Sequence, residues 1–185
     1  IGFVHWAGSR RAVTPERARA ITAELPPFVG TVALFVDPPV DEVRRVIDAT
    51  RPDLLQFHGD EEPGFCAGFG VPYIKAVKIG AVAPEAGALR YHALARGLLL
   101  DTHDPAAVGG TGRAFDWTLV PQGLARPIIL AGGLNAQNVA QAIRQVRPYA
   151  VDVSSGVESA PGIKDAATVR EFMRAVAAVN AASRD

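Results

Sequence analysis

Seven times along this chain an apolar, β-type run hands over to a helix-forming or loop segment, and that alternation leaves few folds open. The repeats come roughly 20 to 30 residues apart, the rhythm of βα units in a parallel sheet. The β-type runs are residues 1–6, 31–36, 53–57, 73–77, 97–100, 127–131 and 149–153. Between them the helix signals are local. Thr14 is placed to cap a helix with Pro15 at its first position and residues 17–25 behind it. After Pro38-Pro39 a helix over 40–49 puts Val43, Val46 and Ile47 on one face. Further helices are predicted over 62–69, 81–96, 116–120 and 135–146, the last capped by Asn135. A final one over 164–179 turns Val169, Phe172, Met173 and Val176 inward.

A doubly wound open sheet would carry its ligand loop after the first strand, in a G-x-G-x-x-G turn. No such turn is present. The small-residue elbows come at the other end. Ile128-Ile-Leu-Ala-Gly132-Gly133-Leu-Asn135 and Tyr149-Ala-Val-Asp-Val-Ser-Ser-Gly-Val-Glu158 both pass from an apolar run into groups that can face an anion. Two such elbows in succession near the C-terminus are the phosphate site of a (β/α)8 TIM barrel, after its last two strands. The phosphate is accordingly assigned to Gly132, Gly133, Asn135, Ser154, Ser155 and Gly156. Residues 1–185 read as a single phosphate-binding barrel domain carrying strands two to eight. The first βα unit is expected upstream of Ile1, because the chain opens directly in a strand and its only methionine is Met173.

Nineteen basic residues balance nineteen acidic ones, so no global field draws this chain to nucleic acid or a membrane surface. An anionic ligand must be held by local groups. A single cysteine, Cys66, rules out an intrachain disulfide, suits a reducing, cytoplasmic setting, and reads as a small core residue on its helix. No apolar run approaches the roughly 20 residues that span a bilayer, and no His/Cys/Asp spacing resembles a metal site. The partner expected is a small phosphorylated substrate, with the protein a monomer or homodimer.

Some side chains stand where chemistry happens in such a fold. Asp101 closes the apolar run Gly97-Leu-Leu-Leu-Asp101, at the strand end that faces a barrel's active site. Low-dielectric walls there favour its protonated form and suit it to general-acid work, although an N-cap or loop anchor is the plainer use of an Asp. Arg11 follows the first strand and can grip a carboxylate or phosphate with two parallel bonds, while one of the pair Arg10-Arg11 is expected to be a solvated surface arginine. His58 ends the run Leu54-Leu-Gln-Phe-His58 and is given a contact role at most. Asp152, flanked by Val151 and Val153, is expected buried and pointing into the barrel mouth. Gly109-Gly110-Thr111-Gly112 suits a lid over the site.

Together these stretches resemble the phosphoribosylanthranilate isomerase family closely. The resemblance rests on Ile1-Gly-Phe-Val with Ser9-Arg-Arg11, Phe35-Val36, Leu55-Gln-Phe-His-Gly-Asp60, Ile74-Lys-Ala76 and Leu99-Leu-Asp101. It continues through Gly109-Gly-Thr-Gly112 with Phe115-Asp-Trp117, Leu130-Ala-Gly-Gly-Leu-Asn135, Val151-Asp-Val-Ser-Ser-Gly-Val-Glu158, Pro161-Gly162 and Lys164-Asp165. It implies a (β/α)8 barrel and a cofactor-free Amadori rearrangement in tryptophan biosynthesis. N-(5-phosphoribosyl)anthranilate becomes 1-(2-carboxyphenylamino)-1-deoxyribulose 5-phosphate. By the same resemblance Asp101 is the general acid, Arg11 holds the anthranilate carboxylate, and the two elbows hold the phosphate. The family's general base is a cysteine in a Lys-Ile-Cys-Gly-type run, which is absent from these residues, and Cys66 matches it neither in position nor in context. The alternative is a truncated, non-catalytic barrel that binds a ligand or partner.

Overall fold

The structure, a computed structural model, describes residues 1–80, 91–102, 116–121, 124 and 126–182. The glycine-rich loop at 109–112 and most of the helix predicted over 81–96 lie outside the described residues. Backbone contacts divide the chain into two compact units, the first built on Ile1–Ala76 and 91–98, the second on 77–80 and the residues from Leu99 onward.

In the first unit, strands β1 (Gly2–Val4), β2 (Val32–Phe35), β3 (Leu54–Phe57) and, up to Ala76, β4 (Tyr73–Ile79) pair in sequence order, all parallel. The register sets Val4 beside Leu34, Leu34 beside Gln56, and Phe57 beside Lys75. Helices α1 (Pro15–Thr22), α2 (Val40–Thr50) and α3 (Pro63–Ala67) connect them. Thr14 caps α1 by accepting from the Arg17 N–H, and Pro15 takes the first turn, where its missing N–H costs nothing. Alternation along β2 and β3 sends Ala33, Phe35, Leu55 and Phe57 into one apolar cluster with Val43, Val46, Cys66 and Tyr73. Ile47, the third residue expected on the α2 face, packs against that cluster. Rings stack through it from His5 to Phe35 to Phe57, which also meets Phe65, Phe69 and Tyr73.

The second unit carries β5 (Gly97–Thr102) from Leu99 onward, β6 (Ile128–Leu130) and β7 (Ala150–Val151). The Ala131 N–H donates to the Leu100 carbonyl at 2.8 Å, and β6 and β7 run parallel with Leu130 beside Val151. Helix α4 (Val139–Val146) packs on α5 (Ala166–Ala182), and short 3-10 turns occupy Trp117–Leu119 and Ser155–Val157. Asp116 caps the first of these turns, accepting from the Thr118 N–H at 2.9 Å.

Several features differ from the sequence reading, among them a 3-10 turn in place of the helix over 116–120. The last strand is only Ala150–Val151, because the chain leaves the ladder once the Asp152 N–H has bonded to the Leu130 carbonyl. A two-stranded antiparallel hairpin, β8 (Glu158–Ala160) with β9 (Ile163–Lys164), replaces the start of the last helix. On α5, Phe172 and Val179 are buried, and Val169 and Val176 are half-buried on the same face, whereas Met173 is 59% exposed. One residue past Phe172 is a rotation of about 100°, enough to carry Met173 off that face.

Candidate active site

The two small-residue elbows meet in the second unit. After β6 the backbone turns through Gly132 (φ 81°) and Gly133 (φ 64°), both left-handed and costly for any residue with a Cβ. Asn135 then organises the approach to α4. Its Oδ1 accepts from the N–H groups of Gln137 and Asn138, both at 3.0 Å, while Asn138 Oδ1 accepts from the Asn135 N–H at 2.8 Å and Asn138 Nδ2 donates to the Gly133 carbonyl. Asn135 thus closes the turn ahead of α4 and is not its cap: the helix begins at Val139, after Asn138, four residues later than the sequence suggested. The second elbow runs from β7 into the 3-10 turn Ser155–Val157, and Gly156 is its contact point. A Cβ built there would overlap the Leu134 carbonyl oxygen and lie 3.2 Å from the Asn135 Cα. Lys164 braces the turn from outside, donating to the Ser154 carbonyl at 2.8 Å and to Glu158 Oε1 at 2.9 Å.

Asp101 lies near the end of β5 and is half-buried. Asp152 corrects the sequence reading: it is exposed, and the valines on either side are half-buried. A two-residue strand does not extend its in-and-out alternation to the residue after it.

In the first unit, Arg11 is half-buried and its N–H donates to Ser9 Oγ at 3.1 Å, while Arg10 is exposed. Arg10 is therefore the solvated member of the pair. His58 stands half-buried just past β3, with Gln56 Nε2 3.1 Å from its Nδ1. Behind it lies a buried polar cluster that sequence reasoning missed. Lys75 Nζ donates to the carbonyls of Gly59 (2.6 Å), Ala76 (3.0 Å) and Phe57 (3.4 Å), and sits 3.4 Å from Glu61 Oε2. Glu61 Oε1 accepts from the N–H groups of Asp37 (2.9 Å) and Gly59 (3.2 Å), and the Asp60 N–H donates to Asp37 Oδ1 at 2.6 Å. The available signal was a lysine inside the apolar run Tyr73-Ile-Lys-Ala-Val, which only a carboxylate elsewhere could make tolerable. Cys66 is fully buried, as its apolar context suggested; burial, and then the nearby Glu61 charge, push its thiol up to about 12. Among the described residues no group of three or more His, Cys, Asp or Glu side chains could hold a metal ion. Nor, among them, is any helix long and apolar enough to cross a membrane.

Parallel strands alternating with helices, with small-residue elbows and a carboxylate at strand ends, define an α/β protein built on parallel strand pairing. The family model described as N-(5'-phosphoribosyl)anthranilate (PRA) isomerase matches residues 1–175. The chain belongs to the N-(5'-phosphoribosyl)anthranilate isomerase family. It is 59% identical over 176 residues to the N-(5'-phosphoribosyl)anthranilate isomerase of Pseudomonas putida (strain W619), covering 95% of this chain and 85% of that protein. It is similar to a crystal structure of phosphoribosyl anthranilate isomerase in complex with reduced 1-(o-carboxyphenylamino)-1-deoxyribulose 5-phosphate, with TM-score 0.82, 37% identity, and 96% and 86% of the two chains covered. Monomers generated from the dimeric enzyme of Thermotoga maritima align with TM-score 0.81 at 35% identity, over 96% of this chain and 86% of that one.

Proposed function

We infer that this chain is an isomerase of tryptophan biosynthesis, converting N-(5-phosphoribosyl)anthranilate to 1-(2-carboxyphenylamino)-1-deoxyribulose 5-phosphate by an Amadori rearrangement. The observation that carries the reading is the junction of the two elbows, Gly156 against Leu134, in a chain of this family. Backbone N–H groups around Gly132, Gly133, Ser154, Ser155 and Gly156 are suited to a phosphate dianion, which needs several donors and close approach. Arg11 takes the anthranilate carboxylate, where a planar guanidinium offers two parallel bonds. Holding both anionic ends aligns the ribose, an orientation effect that contributes without new chemistry.

Asp101 is the general acid. It gives a proton to the ribose ring oxygen, the bond from that oxygen to C1′ breaks, and a Schiff base forms with the anthranilate nitrogen. A proton then leaves C2′, and the enolamine tautomerises to the ketone. Cys66 is not the base that removes the C2′ proton, since a fully buried thiol pushed up to about 12 is neither ionised nor within reach of a ligand. His58 and Asp152 are assigned as substrate contacts. The chain is read as one (β/α)8 barrel domain carrying strands two to eight, working in the cytoplasm as a monomer or homodimer.

The test is to incubate the purified chain with N-(5-phosphoribosyl)anthranilate, follow the isomeric ketose product by chromatographic separation from the substrate, and titrate in the reduced product analogue beside it. Conversion that Asp101→Asn suppresses is the expected result. Absence of both conversion and analogue binding overturns the reading, and binding without conversion favours the ligand-holding alternative.

A further inference from the structure

The buried Lys75–Glu61 pair is well placed to act on its neighbour His58. Lys75 Nζ reaches the carbonyl oxygens of Phe57 and Gly59, the residues immediately before and after it. The ammonium holds the Phe57 carbonyl, in the peptide plane before His58, and Glu61 Oε1 accepts from the Gly59 N–H, in the plane after it, so the pair together fixes the two planes that decide where the His58 side chain leaves the backbone. Both members of the pair are nearly inaccessible, with side-chain exposures of 6% for Lys75 and 3% for Glu61. Glu61 offsets the lysine charge and also accepts from the N–H of Gly59, so the turn after β3 is gripped through both its carbonyl and its amide. The same Glu61 oxygen accepts from the Asp37 N–H, and Asp37 Oδ1 accepts from the Asp60 N–H, which joins this turn to the one after β2. Gly59 leaves no slack, because a Cβ there would overlap the Asp37 carboxylate. On the far side Gln56 Nε2 stands 3.1 Å from His58 Nδ1.

We propose that Lys75, neutralised by Glu61, is a positioning residue that sets the direction of His58 toward the substrate. Lys75 is turned toward the carbonyls of the β3 turn and buried there, so it acts on the site through the backbone that carries His58. A purely scaffolding ion pair would support β3 and β4 equally whatever side chain stood at position 58. A positioning pair matters to the ligand only while His58 is present. This proposal rests on His58 being a substrate contact.

The experiment is a double-mutant cycle in the full chain. Lys75→Met combined with Glu61→Gln removes both charges together, so no lone buried charge remains, and Gln still offers an oxygen to the N–H groups of Asp37 and Gly59. This neutral pair is made in the native background and in His58→Ala. Dissociation constants for the reduced product analogue are measured, with kcat/KM beside them and a thermal melt for each variant. The expected result is a loss of about tenfold in analogue affinity with His58 present and less than about twofold with Ala at 58. Where the neutral pair does not fold, Lys75→Arg supplies the same cycle, since it keeps the charge but replaces a compact ammonium by a planar fork. Equal losses in the two backgrounds, or none in either, overturn the proposal. If His58→Ala alone changes neither affinity nor turnover, His58 is not a contact and the proposal falls with it. The isomerase reading survives that outcome, because it is tested through Asp101 and the phosphate elbows.

Discussion

Replacing Gly156 by alanine adds one methyl group at the point where the two elbows touch. The added Cβ would overlap the Leu134 carbonyl oxygen, lie 2.9 Å from its carbon, and sit 3.2 Å from the Asn135 Cα. All three are backbone atoms, so no side chain can rotate away, and one elbow must retreat from the other. Overpacking of this kind costs roughly 1–3 kcal/mol. If the retreat takes one charge-assisted N–H bond from a bound phosphate, a further loss of about 1.5–3 kcal/mol falls on binding. At 1.4 kcal/mol per tenfold, that raises Kd for the reduced product analogue about 10- to 150-fold. Calorimetric titration with the analogue and with inorganic phosphate reads the binding loss, and a thermal melt reads the packing cost separately. Gly64→Ala is the control, since a Cβ there meets nothing within 4 Å. A Gly156→Ala protein that melts lower but binds both ligands as the native chain does would remove the elbows from the phosphate site. Native melting together with native binding would refute the packing argument itself.

Asp101→Asn should preserve the fold and analogue binding and lower kcat by roughly 10²-fold or more, as steady-state kinetics will show; native turnover removes it from the mechanism. Burial, and then the nearby Lys75 charge, push His92 down from 6.5 to about 4. The unfolded chain therefore takes up this proton first, so stability is complete above about pH 6.5 and declines as pH falls toward 4, by about 3 kcal/mol at most. Urea melts at pH 7 and pH 4.5 should show that decline in the native chain and a smaller one in His92→Phe. Phe57→Ala empties a fully buried site ringed by Phe35, Phe65, Phe69 and Tyr73, and should cost about 3–5 kcal/mol in a denaturant melt.

The sequence by itself determined what short-range chemistry controls. Thr14 and Pro15 start α1 because a cap and a fixed φ act within one turn. Val43 and Val46 face the core because helical spacing alone puts them on one stripe. Gly132-Gly133 and Gly156 marked tight elbows because few other residues suit such turns. Tertiary structure decided what depends on residues far apart in the chain. Asp152 is exposed because β7 stops after two residues, which the valines around it do not reveal. Met173 is apolar and locally plausible for the core, yet the packing of α5 selects Phe172 and Val179 and leaves it outside. Lys75 finds Glu61 and the Gly59 carbonyl across 14 and 16 positions of sequence, through the register that sets β3 beside β4. Hydrophobic periodicity carries no information about such a partner, because a buried charge is tolerated only where the folded chain supplies its opposite.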